Sequence, residues 1–117
     1  MTADWPRPVV HWEIVARDTE RLAEFYRRLF NWDIGDGAVM HIPAGLGGPE
    51  PGPAGHLRRG DHPGVSLYVQ VRDVHECSRL AEALGGAIVR SPDSSAAGPT
   101  LAVILDPEGN RVVLVQQ

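Results

Sequence analysis

The sequence predicts an α+β fold made of two related halves, and three observations carry that expectation. Laying Asp18 over Asp73, 55 residues further on, brings a strand pattern, an Arg-Asp pair and a helix pattern into register twice. Each half opens on a β-rich segment whose apolar and polar side chains alternate, the period of a strand with one face on a core. The chain closes on two apolar runs separated by Asp106-Pro107-Glu108-Gly109-Asn110, a turn sequence.

Size and composition set the frame. At 117 residues the chain can bury one core without disulfides or a structural metal. We expect a single domain over 1–117, with one module at about 8–60 and a second at about 63–117. A hydrophobic fraction of 43% against 22% charged is that of a packed protein rather than a disordered one. The formal charge of −4 is mild, and Lys and Arg are scattered instead of forming the basic stripe that phosphates require, so nucleic acid is not an expected partner. No apolar run approaches the roughly 20 residues that span a bilayer, and Met1-Thr2-Ala3-Asp4-Trp5-Pro6 lacks the regions of a signal peptide. No membrane partner and a cytoplasmic location are expected. The lone Cys77 falls on an apolar helix position with nothing local to lower its pKa, which predicts packing over nucleophilic work.

In the first half, Val9 to Ala16 alternates with Val10, Trp12, Ile14 and Ala16 on one face and His11, Glu13 and Val15 on the other. Asp18 then caps a helix whose Leu22, Phe25, Tyr26 and Leu29 fall at i, i+3, i+4 and i+7, one apolar stripe able to cover the apolar face of the strand. Phe30-Asn31-Trp32 ends it. Ala38 to Ile42 is a strand pattern, and Gly55-His56-Leu57-Arg58 a shorter one. Between Pro43 and Gly64 stand seven Gly and five Pro in 22 residues, too many breakers for a continuous helix or central strand. That segment is mostly loop, either a linker between halves or a binding lid.

The second half repeats the pattern. Val65, Leu67, Val69 and Val71 share one strand face, with Ser66, Tyr68 and Gln70 on the other, so Ser66 stands where His11 stands in the first half. Asp73 and Glu76 suggest a capping box. Val74, Cys77, Ala81 and Leu84 make the helix stripe, and Gly85-Gly86 ends it through a left-handed residue. Thr100 to Leu105 and Arg111 to Val115 form a hairpin about the Asp-Pro-Glu-Gly-Asn turn, whose residues all have structural reasons to be there.

In this order, His11-Trp12-Glu13-Ile14, Asp18, Phe25-Tyr26, Phe30-Asn31-Trp32, Gly85-Gly86 and Asp106 to Asn110 resemble the vicinal-oxygen-chelate superfamily over nearly the whole chain. That superfamily includes glyoxalase I, extradiol dioxygenases, methylmalonyl-CoA epimerase and bleomycin-resistance proteins. The Phe-Asn-Trp element is similar to the Phe-Gly-Trp hallmark of a subgroup of small members. The resemblance implies two βαβββ modules with curled mixed sheets around a shared cavity, often completed by a homodimer.

The resemblance also implies four metal-ligand positions. His11 occupies the first. His56 aligns with the second, Ser66 with the third and Val113 with the fourth. A serine hydroxyl is a poor neutral donor and valine has none, so no cofactor is expected and a divalent metal is disfavoured, with His11 and His56 the weak candidate ligands. A displaced site of His11, Glu13 and His41 is the alternative arrangement. The leading expectation is a metal-independent cavity that binds a small organic molecule, lined by His11, Glu13, Ser66, Tyr68 and Gln70, with His56 and Val113 at the ligand-equivalent positions. Trp5 and Trp32 are candidates for its rim or for ordinary packing. Sequestration and metal-free acid/base chemistry are both open, the second with Glu13 or His11 as proton carrier. The competing class is a metal-dependent lyase, isomerase or dioxygenase.

Overall fold

The computed structural model describes residues 6–44, 52–93 and 99–116, so Trp5 lies outside the described residues. The elements are β1 (Val9–Ala16), α1 (Thr19–Phe30), β2 (Val39–Ile42), β3 (Gly55–Arg59), β4 (Gly64–Gln70), α2 (Val74–Ala83), β5 (Ala87–Asp93), β6 (Thr100–Leu105) and β7 (Arg111–Gln116). They fall into two compact units, His11–Ser66 and Leu67–Gln117 with the start of β1. No helix among the described residues is long and apolar enough to cross a membrane.

In the first unit β3 pairs parallel with β1 and antiparallel with β2. The strand face turned toward α1 carries the core: Ile14, Ala16, Met40, Ile42 and Leu57 cluster with Ala23 of the helix and with Ile34. Trp12 stands opposite Gly55 in the β1–β3 register. A Cβ on that glycine would come within 2.4 Å of the indole, so glycine is what lets the ring lie over β3. The Trp12 indole N–H donates to the Pro53 carbonyl at 2.9 Å.

Helix α1 begins where expected, with the Asp18 carboxylate accepting from the Arg21 N–H at 3.1 Å. It ends on Asn31, whose φ of 59° is the left-handed conformation that Asn and Gly tolerate best. Its buried stripe differs from the expected one. Ala23 is fully buried and Leu22 and Tyr26 pack beside it, whereas Phe25 and Leu29 are exposed. The packed face is made by Leu22, Ala23 and Tyr26, so two of the four expected positions meet the core and two do not.

The second unit is a four-stranded mixed sheet in the order β4-β7-β6-β5, with β4 parallel to β7 and β6 antiparallel to both its neighbours. Its core holds Val71, Val74, Ala102 and Leu114. Asp73 accepts from the N–H groups of His75 and Glu76, both at 3.0 Å, and opens α2. Two apolar expectations fail here. Leu84 is exposed and the buried place goes to Ser78, whose hydroxyl donates to the Val74 carbonyl at 2.7 Å. Val65 and Leu67 are exposed as well, because the apolar alternation meets the core only toward the C-terminal end of β4, through Val69 and the Val71 that follows it.

The late hairpin forms as expected. Asp106 Oδ1 accepts from the N–H groups of Glu108 and Asn110, and Oδ2 from the Asn110 amide, each at 2.9 Å, while Gly109 takes a φ of 89°.

The second module is complete as βαβββ; among the described residues the first is βαββ. No strand forms among the described residues between α1 and β2. That segment is held instead by the Gly35 N–H donating to the His41 carbonyl at 2.9 Å, and by Arg27 Nη2 donating to the carbonyls of Ile34 and Gly35 at 2.8 and 3.2 Å.

Candidate functional site

Because Trp12 and Ile14 point to the helix side of β1, His11 and Glu13 project from the other face; on β3 the same alternation projects His56 and Arg58. The parallel register places Glu13 beside His56, and the antiparallel one places His56 beside His41. One row thus crosses three strands.

Within the row the contacts are direct. His11 Nε2 and His56 Nδ1 are 2.7 Å apart, and the rings stack with centroids 5.0 Å apart. His56 Nε2 lies 2.8 Å from Glu13 Oε2. Arg58 grips the same carboxylate twice, Nε donating to Oε2 at 2.9 Å and Nη2 to Oε1 at 3.3 Å. Glu13 is only 2% exposed. A carboxylate this buried needs a cationic partner and hydrogen bonds, and the fork of a guanidinium supplies both.

The carboxylate fixes the protons. An ionised Glu13 only accepts, so His56 Nε2 carries a hydrogen; with neutral rings, His56 Nδ1 then accepts and His11 Nε2 donates. His11 Nδ1 is then the basic nitrogen of its ring. Burial, followed by the neighbouring His56, lowers the His11 pKa below its usual 6.5, while Glu13 works in the opposite direction and His41 adds to the lowering.

Of the residues that sequence reasoning singled out, the structure brings His11, Glu13 and His56 together. Ser66, Tyr68 and Gln70 lie on β4, Ser66 buried and the others half-buried, and buried Val113 on β7 is the register partner of Tyr68. His41 is exposed, and among the described residues no three His, Cys, Asp or Glu are arranged to hold a metal ion. The donor chemistry gives the reason. Zinc-like ions need lone pairs at about 2.0–2.2 Å from one centre. Here three of the four imidazole nitrogens and the carboxylate are spent on each other, His56 meeting its two partners through opposite sides of its ring, with a guanidinium on the carboxylate. The residues do not fit the superfamily's metal as they stand.

Arg58 is the member of this row that sequence reasoning passed over. The usable signal was its position two residues after His56 on one strand face, opposite a Glu that alternation had already placed on the polar side of β1. Trp32, offered for a cavity rim, packs with Trp12, Tyr26 and Phe30. Cys77 is half-buried against the second core, and burial pushes its thiol pKa up, which favours the packing role. It borders a concavity of ≈ 520 Å³ that also touches Val71, Arg72 and Asp73.

Tandem modules with these helices and mixed sheets define a vicinal-oxygen-chelate fold. The chain belongs to the glyoxalase-like domain family, which matches residues 10–115. It is similar to a glyoxalase/bleomycin resistance protein/dioxygenase superfamily member from Vibrio splendidus, at 14% identity and a TM-score of 0.65 over 96% of this chain and 100% of that one. Methylmalonyl-CoA epimerase from Mycobacterium tuberculosis aligns at 16% identity and TM-score 0.57, covering 92% and 86% of the two chains. A point variant of the Streptomyces coelicolor epimerase, in complex with 2-nitronate-propionyl-CoA, aligns at 15% and 0.59, covering 94% of each. Likeness at these identities establishes the fold. No curated protein matches the sequence.

Proposed function

We propose that this protein binds a small organic molecule without a metal ion, on the face of β1 and β3 that carries His11, Glu13 and His56. The observation that carries the reading is the 2.7 Å contact between His11 and His56, which commits the two metal-ligand positions to each other. What is left is a polar row of fixed donors and acceptors, suited to orienting a carbonyl, carboxylate or hydroxyl group. Acyl-CoA esters lead the ligand screen, since a relative of the same fold is known in complex with an acyl-CoA analogue; aromatic antibiotics are the second set.

Two measurements test this. Elemental analysis of protein purified without chelator is expected to find no stoichiometric Zn, Ni, Mn or Fe, and dialysis against EDTA to leave Tm unchanged; stoichiometric metal lost on His11→Ala substitution rejects the proposal. In a thermal-shift screen, a binding compound is expected to stabilise the wild type by several degrees and His11→Ala far less. Equal shifts in both proteins would put the ligand elsewhere.

The Glu13–His56–His11 chain of contacts favours a second reading, proton transfer without metal. Glu13 holds the His56 tautomer, His56 orients His11, and His11 carries the proton at Nδ1. A substrate hydrogen exchanging with heavy water in wild type but not in His11→Ala is the expected signature.

We also infer a homodimer, the arrangement common to modules of this kind. A monomer in sedimentation velocity at micromolar concentration removes that inference.

A further inference from the structure

A further concavity lies where β1 passes into α1, and it shares no residue with the His11 row. Its volume is ≈ 330 Å³, with apolar walls from Ala16, Leu22, Phe25 and Pro63. That size stands at the lower end of small-molecule sites. Its charged lining is Arg17, Asp18 and Arg21. The backbone builds the hollow by tying the segment after β3 to the end of β1. The Gly60 N–H donates to the Ala16 carbonyl at 3.0 Å, and Arg17 donates from Nε and Nη2 to the Asp61 carbonyl at 3.4 and 3.3 Å. Glycine permits that approach, because a Cβ at residue 60 would stand 2.6 Å from Val15. Pro63, two residues beyond Asp61, is thereby carried to the wall of the hollow.

We propose that this hollow binds a small aromatic carboxylate, its ring against Phe25 and Leu22 and its carboxylate on the guanidinium groups of Arg21 and Arg17. Charge and apolar surface both point to that class of ligand. Phe25 keeps 54% of its surface exposed there. Among the described residues neither Arg17 nor Arg21 forms an ion pair. The carboxylate in the lining, Asp18, turns Oδ1 to the helix and accepts from the Arg21 N–H at 3.1 Å. Two guanidinium groups against one carboxylate leave the hollow net positive, and a guanidinium fork is the donor that a carboxylate bonds best. A cationic ligand would meet like charge. The internal repeat supplies the contrast. At the 55-residue offset, the junction of β4 and α2 also borders a concavity, with Arg72 and Asp73 in the places of Arg17 and Asp18. There Glu76 replaces Arg21 and Leu80 replaces Phe25, so that Arg7 and Arg72 are balanced by Asp73 and Glu76 and no aromatic ring lines the wall. An aromatic anion therefore has two reasons to choose the first hollow over the second.

The test titrates the protein with phenylacetate, phenylacetamide and phenethylamine, which share a ring and differ in charge, and follows backbone amides by heteronuclear NMR. In wild type, phenylacetate is expected to move the amide resonances of Arg17, Leu22 and Phe25 and to saturate. The neutral amide is expected to bind on the order of tenfold more weakly, and the amine to move none of them. Arg21→Glu, which gives the first hollow the acid of the second, is expected to weaken phenylacetate by on the order of tenfold or more, and Phe25→Ser to weaken all binding. Both side chains are exposed, and the same spectra report whether each variant is folded. His11→Ala is expected to bind phenylacetate as wild type does, which separates this hollow from the polar row. Equal binding of acid and amide overturns the proposal, as do shifts confined to residues 71–80. Shifts lost in His11→Ala but kept in Arg21→Glu overturn it as well, while supporting a ligand on the row. A dimer in sedimentation velocity that Phe25→Ser dissociates would put a second copy of the chain on this surface and overturn it too.

Discussion

Glu13 is the residue on which the polar row turns, since its carboxylate orients His56 and seats Arg58. The alternation along β1 already placed it beside His11 on one face, so that pair was legible from sequence. Arg58 was not, because an arginine in a Gly/Pro-rich stretch looks like any solvated charge until the burial of its partner is known. Gly55 offers a sharp test of local packing. Replacing it with alanine drives a methyl into the Trp12 indole, and urea unfolding is expected to register a loss of about 1–3 kcal/mol. Asp106 offers a test of charge. Hydrogen bonds from Asn110, backbone first and then side chain, hold its pKa below the usual 3.8. A depressed carboxyl stabilises the fold fully above that usual value, and the contribution disappears as pH falls through the folded-state pKa. Melting temperatures of wild type and Asp106→Asn are therefore expected to differ most near neutrality and to converge in strong acid. An equal gap at every pH would remove the charge argument.

At the scale of elements, strands with clean alternation and helices with capping residues were legible, and edges were not. β5 carries Arg90 and Pro92, is mostly exposed and pairs with β6 through two register shifts, so its sequence lacks both a buried face and a regular period. Nor was it legible that no strand forms between α1 and β2 among the described residues, where Trp32 to Gly37 mixes one buried residue, Ile34, with turn formers. The stripe of α1 was half legible: Leu22 and Tyr26 meet the core, but the fully buried place goes to small Ala23 and the larger Phe25 and Leu29 are exposed. The end of that helix was legible. Asn31 in the left-handed region predicts that Asn31→Ala costs about 1–2 kcal/mol while Asn31→Gly is tolerated. Thermal unfolding of the two variants separates them, and equal losses would mean the Asn side chain itself, not the backbone conformation, is what matters.

For the whole molecule, the informative fact is that both halves pair their first and last strands in parallel, and at equivalent steps. Glu13 meets His56 in one half, and Tyr68 meets Val113 in the other. That register makes His56 and Val113 counterparts, in line with the second and fourth positions to which the sequence was aligned. It also pairs Arg58 with Val115 as equivalents, so the second half carries valine at both places where the first carries His56 and Arg58. The first half's polar row therefore has no counterpart at these two positions of the second. The first half carries a polar row whose members bond one another, whereas the second carries Ser66, Tyr68 and Gln70 on β4 but valines at these places on β7. Saturation mutagenesis scored by ligand binding is expected to be lopsided, with His11, Glu13, His56 and Arg58 admitting almost no replacement and Val113 and Val115 accepting most apolar ones. A molecule constructed twice would then be under chemical constraint only once.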